Sequence, residues 1–495
     1  MSYIIPTLQV LMEPMHLLLI VFGTVLGIVF GAIPGLTATL GIALLLPVTF
    51  SMTPESGIIV LMAVYVGGIS GGFISATLIG IPGTPSSIAT CYDAFPMSKK
   101  GQAARALGIG SVSSFIGTFA SVLIAAAMCP VIAALAIKLG PWEYFSLCIC
   151  ALTLIVSLSK GNLFKGLAAA CLGLFVASVG TSPLDATYRF TFGIANLKGG
   201  LNLVALMLGM FAISQIVDDY VKGNLVNPKQ GDTKFKSSWE FMRDFTSNIV
   251  NIIRSFVIGL WIGFLPGMGS GVSNLVAYAQ AKSSSKHPEE FGEGCPDGII
   301  ASEVSNNASV GGAIIPMIAL GIPGDTATAM LLGGLTIHGI EVGPMLLVNH
   351  ANLVYIVFGA LMAGALLTVV LQLMGMRLFP RILEIPYHYL FSAITVICFV
   401  GAFSANNTIF NCGEMLFFAV VALFLRCAGC PIGPMILGYV LGPMIETNLR
   451  RGLTYSTNGF WGFLTRPVSL LFLLIALVSV LWSLFGHKLK TQKKR

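Results

Sequence analysis

The peptide Gly-Ile-Pro-Gly occurs twice in this chain, at residues 80–83 and 321–324, each time inside a long apolar stretch. Upstream of each copy lies another Pro-Gly pair, within residues 31–35 and 263–267. Proline ends a helix, and glycine lets a ligand approach the backbone. Free backbone amides and carbonyls are tolerated inside a membrane only where they face protein or a water-filled cavity. The four breaks therefore predict broken helices around a central binding site, as in secondary transporters.

Three hydroxyl residues follow the first copy: Thr84, Ser86 and Ser87. A helix that begins here points its free amides at the break, and a helix N-terminus attracts carboxylates and phosphates. We expect these three residues to bind an anionic substrate. The alternative is a structural kink whose hydroxyls only cap their own helix.

The second copy continues with Asp325 and Thr326. A carboxylate in an apolar segment is a functional candidate because it is costly to bury. We predict that Asp325 binds a sodium ion together with the backbone at Gly35 and Gly267, since hard cations prefer oxygen ligands. A coupled proton on Asp325 is the other option, and an aspartate that only caps its own helix is the structural alternative. Thr326 is predicted to contact the substrate.

A polar cluster, Ser-Glu-Val-Ser-Asn-Asn-Ala-Ser at residues 302–309, precedes the second copy. Amide side chains within a membrane need partners, so we predict that Asn306 contacts the substrate. The matching segment of the first half, residues 65–72, is rich in glycine. Small residues also permit close helix packing, so the glycines alone do not define a site.

The composition identifies the elements that must position these residues. Of 495 residues, 56% are hydrophobic and only 9% are charged, with a mean hydropathy of +0.89. This predicts an all-α polytopic membrane protein with about 12 transmembrane helices plus re-entrant or broken helices. Basic residues concentrate in a central polar segment and in the C-terminal tail, which places both in the cytoplasm by the positive-inside rule. A nucleic-acid partner is excluded because there is no folded basic domain.

The breaks recur in one order, which predicts an internal duplication. Pro266 follows Pro34 by 232 residues, and Pro323 follows Pro82 by 241. We divide the chain into a first transmembrane repeat (1–217), a cytoplasmic linker (218–248), a second transmembrane repeat (249–486) and a basic cytoplasmic tail (487–495). The linker is predicted to hold a short surface helix near residues 239–245. An inverted repeat is favoured over a parallel one because inversion commonly builds two-sided access.

The sequence contains few residues or motifs that would indicate a metal site, an ATP-driven pump or an enzyme. Cys427 and Cys430 form a lone Cys-x-x-Cys pair without a second pair or a histidine cluster, so neither a metal site nor a cofactor is predicted. Phosphate-binding and protease motifs are missing from the sequence, which argues against an ATP-driven pump and a membrane protease. A passive anion channel of the broken-helix type remains the alternative to a transporter. An enzyme acting on lipid-linked substrates would need an acid/base cluster, and none is found.

The motif set resembles the large membrane subunit of the tripartite tricarboxylate transporters, the TctA family. The resemblance covers roughly residues 15–485 and rests on Gly-Ala-Ile-Pro-Gly-Leu-Thr at 31–37, Gly-Ile-Pro-Gly-Thr-Pro at 80–85, Gly-Phe-Leu-Pro-Gly-Met-Gly at 263–269, Glu-Val-Ser-Asn-Asn-Ala at 303–308 and Ala-Leu-Gly-Ile-Pro-Gly-Asp at 319–325.

This resemblance implies a cation-coupled symporter, driven by Na⁺ or H⁺, in the bacterial inner membrane. It also implies a small membrane subunit and a periplasmic substrate-binding protein as partners, with tricarboxylates or related carboxylates as substrates. The Pro-Gly motifs themselves contain no basic residue to pair with a carboxylate. Lys99, Lys100 and Arg105 follow the first copy, and we interpret them as anchors at a loop edge rather than as substrate ligands.

Overall fold

A computed structural model describes residues 3–158, 163–221, 241–384, 386–456 and 459–492. The chain up to residue 221 forms helices joined by short turns and one antiparallel ribbon. Its helices are α1 (Ile4–Leu11), α2 (Pro14–Ala32), α3 (Ala38–Thr49), α4 (Pro54–Ile79), α5 (Thr90–Met97), α6 (Ala103–Ala136), α7 (Pro141–Leu158), α8 (Leu163–Ala177), α9 (Leu203–Met207) and α10 (Ser214–Val221). Single 3₁₀ turns lie at Pro85–Ser87 and Ala195–Leu197, and π-helical turns at Ser98–Gln102 and Leu208–Ile213. The ribbon pairs β1 (Gly180–Thr181) with β2 (Tyr188–Arg189).

The remainder of the described chain is helical as well. Its helices are α11 (Phe241–Ser247), α12 (Ile249–Phe264), α13 (Gly269–Ser284), α14 (Pro296–Leu320), α15 (Thr326–Ile337), α16 (Leu346–Asn349), α17 (Ala351–Gly375), α18 (Phe379–Leu383), α19 (Tyr387–Ser404), α20 (Ile409–Cys427), α21 (Ile432–Tyr455), α22 (Trp461–Thr465) and α23 (Pro467–Gln492), with a 3₁₀ turn at Pro288–Glu290.

Six of the described helical segments are long and apolar enough to cross a membrane. They are Pro14–Ala32, Pro54–Ile79, Thr90–Ala136, Leu203–Val221, Ala351–Gly375 and Ile409–Cys427. A seventh candidate is the pair α11 and α12, which is bent by 81°. The chain is thus an all-α membrane protein, and the count of about twelve crossings stays a prediction.

The two helices that follow the upstream breaks are too short to cross a membrane. Helix α3 has 12 residues and α13 has 16, whereas a span needs about 20. Helix α3 begins three residues after Gly35, and α13 begins two residues after Gly267, in keeping with the predicted broken helices.

Both Gly-Ile-Pro-Gly peptides end a long helix in the same backbone conformation. Gly80 caps α4 with φ 71° and ψ 16°, and Gly321 caps α14 with φ 74° and ψ 18°. This left-handed conformation is open to glycine at no steric cost, which explains why glycine stands first in both copies. The structural match extends the sequence match, and the duplication itself stays a prediction.

The last glycine of each copy packs on the upstream break of its own half. A Cβ atom on Gly83 would overlap with the Gly31 carbonyl oxygen, and one on Gly324 would lie 2.7 Å from the Gly263 carbonyl oxygen. In the second half the Gly267 amide also donates to the Gly324 carbonyl oxygen at 2.6 Å. Each pair of breaks therefore forms one tightly packed unit.

Each half contributes a helix that packs against the Gly-Ile-Pro-Gly helix of the other half. Helix α6 of the first half lies along α14, and α17 of the second half lies along α4. Gly117 allows the first contact, because a side chain there would overlap with the backbone at Val304 and Ala308. This packing holds α4 and α14, the helices that carry the Gly-Ile-Pro-Gly peptides, in the interior.

The predicted linker helix is present as α11, but it is packed rather than lying free on the surface. Phe241 and Phe245 are buried, and Phe241 lies against Gly108 of α6. Arg105 of α6 forms an ion pair with Asp244 at 2.7 Å. The surface-helix prediction missed these contacts because α6 precedes α11 by more than a hundred residues. The first four residues of the predicted linker, 218–221, belong to α10, and residues 222–240 lie outside the described residues.

Candidate functional site

All four breaks meet around one cavity of about 610 Å³. The breaks contribute Gly35 with residues 37–40, residues 84–86, residues 267–271 and residues 325–327. The other lining residues, from α4, the π-helical turn before α10, α10 itself and the region where α20 passes into α21, are Ile69, Phe211, Gln215, Asp218, Arg426, Cys430, Pro431 and Ile432. The cavity has the size of a typical small-molecule site.

Breaks of the first half contact breaks of the second half at two corresponding places. Thr39 of the first half lies beside Thr326 of the second, with their hydroxyl oxygens 3.4 Å apart. Gly271 of the second half lies beside Pro85 of the first, where a Cβ atom on Gly271 would be 3.6 Å from the Pro85 Cβ. By the offset of 232 between the upstream breaks, Gly271 corresponds to Thr39, and by the offset of 241 between the Gly-Ile-Pro-Gly copies, Thr326 corresponds to Pro85. The two contacts therefore join corresponding positions of the two halves.

The first copy forms a single 3₁₀ turn, Pro85–Ser87, instead of leading directly into an α-helix. The Thr84 and Ser86 hydroxyls are 2.6 Å apart and line the cavity. Asn274 of α13 stabilises this turn with two hydrogen bonds. Its side-chain oxygen accepts from the Ala89 amide at 3.2 Å, and its side-chain nitrogen donates to the Pro85 carbonyl at 3.3 Å. The half-helix of the second half thus positions the hydroxyls of the first.

Asp325 is both a helix cap and a cavity carboxylate. Its Oδ1 accepts from the Thr328 amide at 2.7 Å, completing a capping box at the start of α15. Its Oδ2 accepts from the Tyr65 hydroxyl at 3.3 Å. Because Asp325 also lines the cavity, capping does not exclude ion binding. The two interpretations of the sequence are therefore compatible.

Gly35 lies next to a second carboxylate that the sequence analysis did not single out. A Cβ atom on Gly35 would be 3.0 Å from Oδ2 of Asp219, a buried residue of α10. Gln215, which lines the cavity, donates to the same oxygen at 2.9 Å. Oxygen ligands for a cation are thus available at the first upstream break as well as at Asp325.

Two predicted substrate residues, Ser87 and Asn306, lie outside the cavity lining. Both are fully buried, and within the described chain neither the Ser87 hydroxyl nor the Asn306 amide has a hydrogen-bond partner of normal geometry. The structure brings together Gly35, Thr84, Ser86, Gly267, Asp325 and Thr326, all of which line the cavity.

Arg426 supplies the positive charge that the Pro-Gly motifs lack. It lies in the last turn of α20, and its guanidinium donates to Gln215 at 2.8 Å and to Asp218 at 3.1 Å. From the sequence alone, an arginine ending an apolar helix looks like an interfacial anchor. Its partners precede it by 211 and 208 residues, so no local signal marks it as a site residue.

The basic residues that follow the first copy are engaged elsewhere. Lys99 lies over the Phe95 ring, and Lys100 donates to the Glu293 carbonyl at 2.6 Å. Arg105 pairs with Asp244. None of the three lines the cavity, as expected for loop-edge anchors.

A separate charged cluster joins the β1–β2 loop to α21, outside the cavity. Arg189 pairs with Glu446 at 2.6 Å, and Arg450 pairs with Asp185 at 2.9 Å. The hydrogen bonds from Arg450 hold the pKa of the exposed Asp185 carboxyl well below its usual range. Within the described ranges, three or more His, Cys, Asp or Glu residues nowhere gather as a metal site would require.

Comparison with known proteins places the chain in a family. The sequence model of the tripartite tricarboxylate transporter TctA family matches residues 17–437. An uncharacterized 52.8 kDa protein in the TAR-I ttuC' 3' region of Agrobacterium vitis is 33% identical over 473 residues, which cover 96% of this chain and 94% of that protein. An uncharacterized protein in the TAR-II ttuC' 3' region of the same organism is 34% identical over 226 residues, covering 46% of this chain and 93% of that protein. No solved structure matches. With the motifs, the apolar helices and this match in agreement, the chain belongs to the TctA family and is a membrane component of a tripartite tricarboxylate transporter.

Proposed function

We propose that this chain is the translocating subunit of a cation-coupled importer of tricarboxylates or related carboxylates. The observation that supports this function is the cavity where all four Pro-Gly breaks meet. Two half-helices and two Gly-Ile-Pro-Gly units, one of each from either half, enclose it. In this proposal the halves are inverted repeats that alternately open the cavity to the two sides of the membrane.

The substrate is held by one cation and several hydroxyls. The Arg426 guanidinium matches a carboxylate in geometry and charge, and it already pairs with one such group, the Asp218 carboxylate, at 3.1 Å. The substrate exchanges with Asp218 for that guanidinium. Thr84, Ser86 and Thr326 line the same cavity and donate further hydrogen bonds. Ser87 and Asn306 join them only if the cavity rearranges as it opens.

The charges of the cavity argue for a co-transported cation. Arg426 contributes one positive charge, whereas Asp218 and Asp325 contribute two negative charges. A bound tricarboxylate adds further negative charge, which is repelled strongly at low dielectric unless a cation enters with it. Asp325 with the backbone at Gly35 and Gly267 is the proposed sodium site. If the coupling ion is H⁺ instead, Asp325 carries the proton.

The family supplies the expected surroundings of the chain. We propose that it works in the bacterial inner membrane with a small membrane subunit and a periplasmic substrate-binding protein. The linker and the basic tail then face the cytoplasm. A transporter of this type catalyses no chemical reaction and needs no cofactor besides its coupling ion.

The test is the uptake of labelled citrate into proteoliposomes that contain this chain, its small membrane partner and its binding protein. Accumulation above equilibrium under an inward sodium or proton gradient is the expected result. Equilibration that ignores both gradients would indicate a passive anion channel instead. If citrate is not taken up, other labelled carboxylates are tested under the same gradients.

A further inference from the structure

Another carboxylate, Glu303, is fully buried away from the cavity. It lies two turns into α14, has no exposed surface and is not among the cavity-lining residues. Within the described chain it forms no ion pair with a lysine, arginine or histidine. An ionised carboxylate that is buried without a cation is costly, so such a group is a candidate for function.

The groups around Glu303 are hydroxyls and an amide from both halves of the chain. The Thr90 hydroxyl of α5 is 2.5 Å from Oε1, and the Ser114 hydroxyl of α6 is 3.1 Å from Oε2. The Asn307 amide nitrogen lies 3.3 Å from Oε2. Asn307 in turn accepts from Ser70 of α4 at 2.7 Å. The carboxyl therefore lies where α4, α5, α6 and α14 meet.

A count of hydrogens favours a protonated carboxyl. Thr90 is 2.5 Å from Glu303 and 3.0 Å from the Ser302 hydroxyl, and Ser302 is 2.9 Å from the Gly298 carbonyl oxygen. These three contacts need three hydrogens, and the two hydroxyls supply only two. All three are hydrogen bonds only when Glu303 carries the third.

The ionised carboxylate is accommodated as well. When the proton leaves, Thr90 turns its hydrogen to Oε1, while Ser114 and Asn307 continue to face Oε2. Because hydroxyl rotors reorient without moving heavy atoms, the site solvates both states. This is the property that a reversible proton site requires.

Two further buried polar side chains, Ser87 and Asn306, adjoin this site. Ser87 follows the cavity-lining Ser86 and precedes Thr90 by three residues, and its turn packs on α14. Asn306 is one turn beyond Glu303, and its amide lies near that carboxylate. Both side chains are fully buried, and neither makes a hydrogen bond of normal geometry among the described residues. Buried polar groups of this kind commonly accept ordered water, which would connect Glu303 to the cavity.

Several other titratable groups lie on the elements that pack around Glu303. The Cys91 thiol on α5 faces Glu303. Asp93 of α5 accepts from the amides of Gly292, Gly294 and Cys295, and Asp297 of α14 accepts from Asn248. Other titratable groups on the packed elements include Tyr65 of α4, bonded to Asp325, Arg105 of α6, paired with Asp244, and the exposed Arg254 of α12. Tyr278 of α13 packs on the rings of Tyr92 and Phe291, and Lys282 of α13 donates to the Phe291 carbonyl. Glu55 and Cys129 also lie on these elements, in the first turn of α4 and in the C-terminal part of α6.

We propose that Glu303 is a proton-binding site, distinct from the cation site at Asp325, which couples proton entry to transport. This inference rests on the proposed transport function. When the proton binds, Glu303 donates to Thr90, and Thr90 donates to Ser302. The proton leaves through the region of Ser87 and Asn306 when the two halves of the protein move apart.

The test compares Glu303→Gln with Glu414→Gln in proteoliposomes. Glutamine has the shape and hydrogen bonds of the protonated acid but cannot release a proton. We expect E303Q to lose accumulation driven by a pH gradient while it still exchanges internal for external substrate at the wild-type rate. Glu414 is a matched control, since it is also a buried carboxylate and accepts from the Asn202 amide at 2.6 Å. E414Q is expected to retain accumulation.

An infrared titration of the purified protein tests the site without transport. Wild-type protein is expected to show the carbonyl stretch of a protonated buried carboxyl, and E303Q to lack that band. If wild-type protein transports nothing but the band is lost in E303Q, the transport function fails and the proton site stands. If E303Q accumulates substrate like wild type, or fails to fold, the proposal is wrong. Loss of sodium dependence alone would also overturn it and make Glu303 a sodium ligand.

Discussion

Arg426 allows the sharpest test of the proposed substrate site. Its guanidinium donates to Gln215 at 2.8 Å and to Asp218 at 3.1 Å. The pair is partly buried, with side-chain exposures of 24% for Arg426 and 19% for Asp218. If the substrate carboxylate replaces Asp218, then Arg426→Gln removes the charge-assisted hydrogen bonds to the substrate.

The expected magnitude follows from the strength of such bonds. A hydrogen bond to a charged group contributes about 1.5–3 kcal/mol, which corresponds to roughly a 10- to 150-fold rise in KM. Arg426→Lys keeps the charge but loses the planar fork, so it is expected to fall between wild type and Arg426→Gln. The assay is concentration-dependent uptake at saturating binding protein, with the thermal stability of each variant measured in parallel.

Asp218→Asn separates substrate binding from a structural ion pair. If Asp218 competes with the substrate, its neutralisation leaves KM unchanged or lowers it, whereas Arg426→Gln raises KM. If instead the pair only holds α10 against α20, both variants lose stability and change KM in the same direction. An unchanged KM in Arg426→Gln with unchanged stability would refute the role of Arg426 in binding.

The remaining predictions concern the breaks and the cavity wall. Asp325→Asn keeps the helix cap, since asparagine caps as well as aspartate, and is expected to abolish the sodium activation of uptake without lowering thermal stability; sodium activation equal to wild type would contradict the cation site. Gly83→Ala forces a Cβ onto the Gly31 carbonyl oxygen and is expected to abolish uptake and lower the melting temperature, whereas Gly413→Ala, which meets nothing within 4 Å, is expected to behave like wild type. Substrate is expected to slow the labelling of Cys430 by a thiol reagent, because Cys430 lines the cavity; labelling at a rate that ignores substrate would place the substrate elsewhere.

The sequence determined by itself the class of the protein and the positions of its breaks. Sparse charge and long apolar runs require a membrane for any stable fold. Proline and glycine act within a few residues of their own position, so the ends of α4 at Gly80 and of α14 at Gly321 were predictable. The match of residues 31–35 with 263–267 predicts corresponding units in the two halves, and the duplication stays a prediction.

Only the tertiary structure decided which side chains share a site. Arg426 joins the cavity because α20 passes α10, more than two hundred residues earlier in the chain. Glu303 gains its hydroxyls from α5 and α6 because these helices of the first half pack against α14. Ser87 and Asn306 carry the right chemistry but point into packed interior rather than into the cavity. Local sequence specifies where a helix starts and stops, whereas the rotation and crossing of distant helices depend on side-chain packing that no short motif records.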